Sequence, residues 1–362
     1  MERKRVKEQI NKLLLLDGMG NLMFASASWV ALLSARGFST VEIGAAESVF
    51  HTASMIFEIP SGAMADVFGR RKILIASRAA ALLAAVLMIY SNSLLSVMAV
   101  MILSALSYNL ASGTREALAY DSLKEVGSED EYDKFASDDM VIYQLTSSLA
   151  VLMAGVVLRL GYKKAYMIDV IAGMITLIMA FTLREAFVNT KRNVNIRKCF
   201  SDVFSESAAF IYKSRKVQII IFFNAVIGAI SVLILFFLQA KLPEIGLSKL
   251  LLGPALFFMG LGAVLGAKIV VRFKNSRYKS ICLISVVGIA AAMLSLISQN
   301  CLIVIAGGFA GAFADNFLEV RTDILLNSMI PSEQRATLIS VNSFVFSMIM
   351  IVLSPIFGII LS

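Results

Sequence analysis

Long apolar runs separated by short charged clusters set the pattern of this chain. A helix needs about 20 mostly apolar residues to cross a bilayer. Eleven segments of that kind are predicted, near 13–35, 41–65, 73–90, 94–120, 139–160, 165–184, 217–240, 250–272, 280–298, 301–326 and 336–361. Their apolar character is continuous, with no period-2 alternation, so helices are expected rather than the strands of a barrel. Several contain glycine, which helices in a bilayer tolerate. The predicted fold class is all-α integral membrane, with about 11 transmembrane helices.

The longest polar segment, 185–216, falls after the sixth span. It divides the chain into a six-helix bundle over 1–184, a linker over 185–216 and a five-helix bundle over 217–362. The second half of the linker, with Phe200, Val203, Phe204, Phe210 and Ile211, reads either as an amphipathic surface helix or as a solvated basic connection. An odd number of spans puts the two termini on opposite sides. The sequence stops on "FGIILS", still apolar, so either a twelfth span is absent or the protein ends there.

Composition settles the solvent. The 362 residues are 58% hydrophobic and 16% charged, against roughly 45–50% and about 25% for soluble domains. One aqueous core cannot hide that excess, so lipid is expected to surround the protein. The net charge of +8 lies in clusters between the apolar runs, not on an aromatic-interleaved face. With no recognition motif present, nucleic acid is not an expected partner. Placing the N-terminus in the cytoplasm leaves few basic residues outside: Arg36, Arg159, Lys163, Lys164, Lys241 and Lys249. That is the asymmetry the positive-inside rule requires. The chain is therefore expected in the cell membrane, multi-pass, as a monomer. "MERKRVKEQINK" precedes the first apolar run without a convincing cleavage site. Cys199, Cys282 and Cys301 have neither metal nor redox spacing. No nucleophile–base pair or phosphate loop is evident, so neither an enzyme nor a cofactor or metal is expected.

Between the second and third spans runs "EIPSGAMADVFGRRK", residues 58–72. Gly62-x-x-x-Asp66-x-x-Gly69-Arg70-Arg71-Lys72 resembles the signature loop of the major facilitator superfamily. "EALAYDSLKE" (116–125) and "IPSEQRATLIS" (330–340) resemble a bacterial branch often grouped with drug exporters. The resemblance covers nearly the whole chain. It implies a two-bundle transporter that normally has twelve helices, with a small-molecule substrate between repeat halves and alternating access. It also implies a cytoplasmic gate of Gly62, Asp66, Gly69, Arg70, Arg71 and Asp121. There Gly62 lets the second helix approach a neighbour, Gly69 permits a tight turn, and Asp66 pairs with Arg70 and docks on the start of the eleventh helix. Asp121 is expected to pair with Arg70 or Arg71. Val67 stands where the family carries a basic residue, and the fifth span lacks the Gly-Pro-rich pattern of exporters.

Ionisable groups inside a span are costly and become functional candidates. For proton coupling or substrate contact these are Asp17, Asn21, Glu47, His51, Asp315 and Glu319. Asp17 and Asn21 share a helix face, as do Glu47 and His51. His51 is the single histidine, and its ordinary titration range suits a proton switch. Asp315, Glu319 and Asp323 form an i, i+4, i+8 stripe, with Arg321 beside them. Glu58, just before Pro60, belongs with the gate. Trp29 reads as an interface anchor and Arg78 as a side chain snorkelling to the inner surface. Gly260-x-Gly262-x-x-x-Gly266 imitates a dinucleotide fingerprint, but inside a span it points to close helix packing. The expected function is proton-coupled efflux of small amphipathic or cationic compounds. The alternatives are import of a metabolite, or a transport-inactive chain lacking its twelfth helix.

Overall fold

A computed structural model describes residues 2–186, 215–273, 276–329 and 335–361. The described residues are helical apart from turns and short connections, with no strand among them. The chain forms two compact units. The first comprises Met1–Trp29 and Val49–Ser201, and the second Val30–Ser48 and Asp202–Ser362. The change of unit therefore falls inside the first two predicted spans, not in the linker alone. Most of the linker lies outside the described residues, and so does the stretch 330–334 that precedes the eleventh predicted span.

Eight helices among the described residues are long and apolar enough to cross a membrane, or nine if one bent pair counts as a span. The first predicted span is not a single helix. It consists of α1 (Glu2–Asn21), α2 (Phe24–Ala27) and α3 (Trp29–Ala35). The break follows Gly18, Gly20 and Asn21, residues that hold a helix weakly. The second span, α4 (Thr40–Phe68), is continuous through Pro60. It starts on a reciprocal cap in which the Ser39 amide donates to Glu42 Oε2 at 2.8 Å and the Glu42 amide to Ser39 Oγ at 3.3 Å.

In the first unit follow α5 (Arg70–Tyr90), α6 (Leu94–Ala111), α7 (Thr114–Lys124), α8 (Tyr132–Leu152), α9 (Ala154–Leu160) and α10 (Tyr162–Phe181). Gly113, at φ +72°, separates α6 from α7. The pair α8–α9 is bent by 46°. A core of Leu13, Leu16, Leu74, Leu118, Phe135 and Leu183 holds α1, α5, α7 and α8 together. Ser77 and Ser107 bond each other's carbonyls at 2.8 and 2.9 Å, tying α5 to α6.

The second unit contains α11 (Arg215–Glu244), α12 (Leu252–Ile269), α13 (Tyr278–Ser295), α14 (Cys301–Met329) and α15 (Arg335–Ile360). Small residues govern its packing. A Cβ on Gly262 would strike the Phe309 carbonyl, and one on Gly266 the Phe313 carbonyl, so α12 lies directly on the backbone of α14. The start of α4 lies as closely on α15. Thr40 donates to the Gly358 carbonyl and Ser48 to the Ile351 carbonyl, both at 2.7 Å. Gln239 of α11 accepts from the Ala31 amide at 3.4 Å.

Two expectations fail here. Trp29 is buried, not placed at an outer interface, and Arg78 is buried too, not turned to the surface. Arg78 is held away from the surface because its guanidinium lies against Gly20 of α1.

Candidate functional site

The densest charged constellation lies inside the first unit. Arg115 stands in the first turn of α7, just past the Gly113 break. Its Nη1 pairs with Asp17 of α1. Its Nη2 donates to Glu116 Oε1 at 2.8 Å and to Asp139 Oδ2 of α8 at 2.7 Å. Asn21 adds a hydrogen bond from Nδ2 to Asp17 Oδ2 at 2.9 Å. Asp17 and Asp139 are only 5% and 8% exposed. One guanidinium thus faces three carboxylates, which leaves two formal negative charges unbalanced. Arg115 Nε, Glu116 Oε2 and Asp139 Oδ1 are buried without a hydrogen-bond partner among the described residues. Unmatched polar atoms of this kind are expensive where water is scarce. The arrangement can accept a proton or another cation with little rearrangement.

A second feature lies on the same helix, α1, and its break. Asp169 of α10 is fully buried. Its oxygens accept from the Ala25 amide at 3.1 Å and from the Ser26 amide and hydroxyl, each at 2.9 Å. These are the amides the interrupted helix would otherwise leave unpaired. Asp169 therefore maintains the break, in the way discontinuous membrane helices are kept only where their backbone is satisfied.

The turn at Gly69 forms a third group, about 9 Å along α7 from Arg115 at the rise of an ideal helix. Arg70 pairs with Asp121, and reaches Asp66 only at 4.0 Å. Arg71 donates to the Phe181 carbonyl at 2.8 Å. The Glu185 carboxylate caps the start of α5, accepting from the Arg70 amide at 2.8 Å and the Arg71 amide at 3.0 Å. Gly69 has φ +96°, and a Cβ there would sit 2.7 Å from Glu185 Oε2, so both conformation and space require glycine. Gly62 differs from its expected role. It is exposed, and a Cβ there would meet nothing within 4 Å.

Profile comparison decides the ancestry: the Major Facilitator Superfamily pattern matches residues 13–355. The chain belongs to the major facilitator superfamily. It is 24% identical over 344 residues to an uncharacterized MFS-type transporter, YxaM, of Bacillus subtilis (strain 168), covering 92% of this chain and 84% of that protein. Among solved structures it resembles a mutant form of the nucleoside transporter NupG (TM-score 0.76, 15% identity, 96% of this chain and 90% of that one). It also resembles a D-xylose–proton symporter (TM-score 0.72, 11% identity, 97% and 90%). A third likeness is to a bacterial homologue of the human lysosomal transporter Spinster (TM-score 0.71, 14% identity, 97% and 81%). At these identities the structures establish the fold alone: a multi-pass, helical major-facilitator protein.

Within this superfamily fold, the structure brings Asp17 and Asn21 together and gives them Arg115. Glu47 and His51 are both buried in α4, and the His51 ring meets Phe50 edge-on at 5.4 Å. In the second unit Asp315 is half-buried and accepts from the Ser231 hydroxyl, while Glu319 and Asp323 are exposed. Residues not singled out from the sequence are Glu116, Asp139, Asp169 and Glu185. Asp169 lies within a predicted span, so the cost of an embedded carboxylate was signal enough to find it. Asp139 fell on a predicted span boundary. Glu185 opened a polar stretch and looked solvated.

Proposed function

We propose that the protein is a proton-coupled secondary transporter that moves a small molecule by alternating access, with Arg115 and its three carboxylates as the coupling centre. The observation that carries this reading is the charge count of that cluster: one part-buried cation, three acids, and two buried carboxylate oxygens without partners among the described residues. Binding a proton, or the positive end of a solute, lowers that imbalance. Either one would compete for the same oxygens, which is the requirement for exchange. Efflux of small amphipathic or cationic compounds against protons is the first reading this supports, with the Gly69 turn taken as the cytoplasmic end.

Import of a small polar metabolite is the second reading. It is favoured by the number of polar side chains inside the first unit. Besides the cluster these include Arg78, Asp169, and Asn109, whose Nδ2 donates to Ser54 Oγ at 2.8 Å. Buried polarity of this kind suits a hydrogen-bonding solute better than an oily one. The solved structures named as a nucleoside transporter and a D-xylose–proton symporter have polar solutes in their names.

The test uses sealed vesicles holding an imposed pH gradient and a pH-sensitive dye. Lipophilic cations, nucleosides, sugars and organic acids are added in turn. The expected result is solute-specific discharge of the gradient that disappears in Asp139→Asn. Solute flux that ignores the gradient, or discharge unchanged in Asp139→Asn, overturns the coupling role. The sign of the gradient that drives accumulation separates export from import.

A further inference from the structure

We infer that Arg78 is the recognition point for an anionic group, a carboxylate or phosphate, on the transported solute. Arg78 lies two turns into α5 and is 9% exposed. Among the described residues it makes no ion pair and no hydrogen bond, and its Nε is sealed without a partner. A guanidinium stays charged in any protein environment. Unlike a lysine, it cannot relieve its burial by losing a proton. An unpaired charge at that depth costs several kcal/mol, so it is retained for something that supplies the opposite charge.

The surroundings are shaped for the head group. Gly20 of α1 lies against it, and a Cβ there would come to 2.5 Å from Arg78 Nη1. Glycine at that position leaves the guanidinium room beside the backbone. One residue later, at Asn21, α1 ends, and Leu22 and Met23 are not helical. One turn below Arg78 on α5 is Leu74, part of the sealed apolar core with Leu13 and Leu16, so that direction offers no counter-charge. The nearby end of α1 carries the partial negative charge of a helix C-terminus, roughly half a unit. It does not discharge Arg78, since no carbonyl there accepts a hydrogen bond from it. The planar fork of an arginine fits a two-oxygen anion in a bidentate manner. The break in α1 is where backbone leaves the regular helix beside it.

This inference rests on the transporter reading only in naming the solute as occupant; anion binding is measured without transport. The full chain in a sugar-based detergent is titrated with acetate, benzoate and phenyl phosphate, and separately with phosphatidylglycerol. Melting and the emission of Trp29, the single tryptophan, are followed. The expected result is a melting temperature raised by a few degrees by at least one soluble anion, with a change in Trp29 emission. In Arg78→Gln the response weakens at least tenfold, while the ligand-free variant melts no lower than the parent. Arg78→Lys, which keeps the charge and loses the fork, falls between them.

Three results overturn the inference. No soluble anion has an effect; the response survives in Arg78→Gln; or Arg78→Gln melts well below the parent or does not fold, which makes the arginine a counter-charge to the end of α1. A response to phosphatidylglycerol alone assigns the site to lipid and overturns the solute. Loss of proton coupling in Asp139→Asn with an intact anion response separates the two readings.

Discussion

The two units treat polarity in opposite ways. In the first, Arg115 gathers Asp17, Glu116 and Asp139, and Asp169 holds open a break in α1. In the second, α12 and α14 meet backbone to backbone through Gly262 and Gly266, and the acidic stripe of α14 has Ser231 as the hydroxyl donor to Asp315. Charge arranged against charge suits a place where chemistry changes state. Glycine-mediated contact suits a scaffold, because it is stiff and has no alternative packing. The two units thus differ in what holds them together.

Removing Arg115 is the most severe way to break the contrast. Arg115→Gln leaves three carboxylates facing one another, with an expected loss of about 3–5 kcal/mol and no gradient-driven transport. Denaturant unfolding in detergent reads it; a loss below about 1 kcal/mol would show that the cluster is solvated. Next is Asp169→Asn, which substitutes a donor for an acceptor of the Ala25 and Ser26 amides. About 1–3 kcal/mol and faster hydrogen exchange at those two amides are expected. Asp315→Asn in the second unit is expected to change stability much less, and to change pH-dependent transport instead. Comparable destabilisation by the two asparagines would erase the distinction.

Packing defines the other side of the comparison. Gly266→Val is expected to cost about 1–3 kcal/mol by overpacking, while Gly260→Val on the same helix, where a Cβ meets nothing within 4 Å, should be nearly silent. Equal melting temperatures for the two would refute the contact. Smaller still is the surface pair Glu8–Lys12, at 2.7 Å. Lys12 holds the Glu8 carboxyl below the usual carboxylate range. A depressed carboxyl contributes above its unfolded value and loses that contribution as the pH falls through its folded one. Because Glu8 is fully exposed, Glu8→Gln should leave the neutral-pH melting curve unchanged.

Much of the architecture was legible because bilayer helices announce themselves by length and apolarity. The Gly69 turn was legible as a motif because Asp66, Gly69, Arg70 and Arg71 lie within a few positions, but the partners that hold it, Asp121 and Glu185, lie 51 and 115 positions from Arg70, and Glu185 was missed. The candidate site was legible only in part. Asp17 and Asn21 stood out as polar residues in an apolar run, but their partner Arg115 is 98 positions away and reads equally well as a charge near a span end. Arg78 was misread for the same reason: sequence gives depth along a helix, but not which way a side chain turns. The close approach of α1 at Gly20 decided it. Trp29 followed suit, since an aromatic near a span end packs inward when a neighbour is there to receive it. Asp169 could be found as a carboxylate embedded in a span, but its role needed a further premise, that the first span is broken, and neither glycines nor asparagine alone fix where a helix stops.

The break in α1 also bears on how the protein is made. The amides of Ala25 and Ser26 are completed by a carboxylate 144 and 143 positions further along. At translation rates of about 5–20 residues per second, the ribosome needs roughly 7–30 s to supply it. During that interval the first span enters the bilayer either as an unbroken helix that must later be opened or with two amides unsatisfied in lipid. Correct insertion of the beginning of this protein therefore waits on the sixth span. Any change that delays or misplaces α10 should first be felt as a misassembled N-terminus.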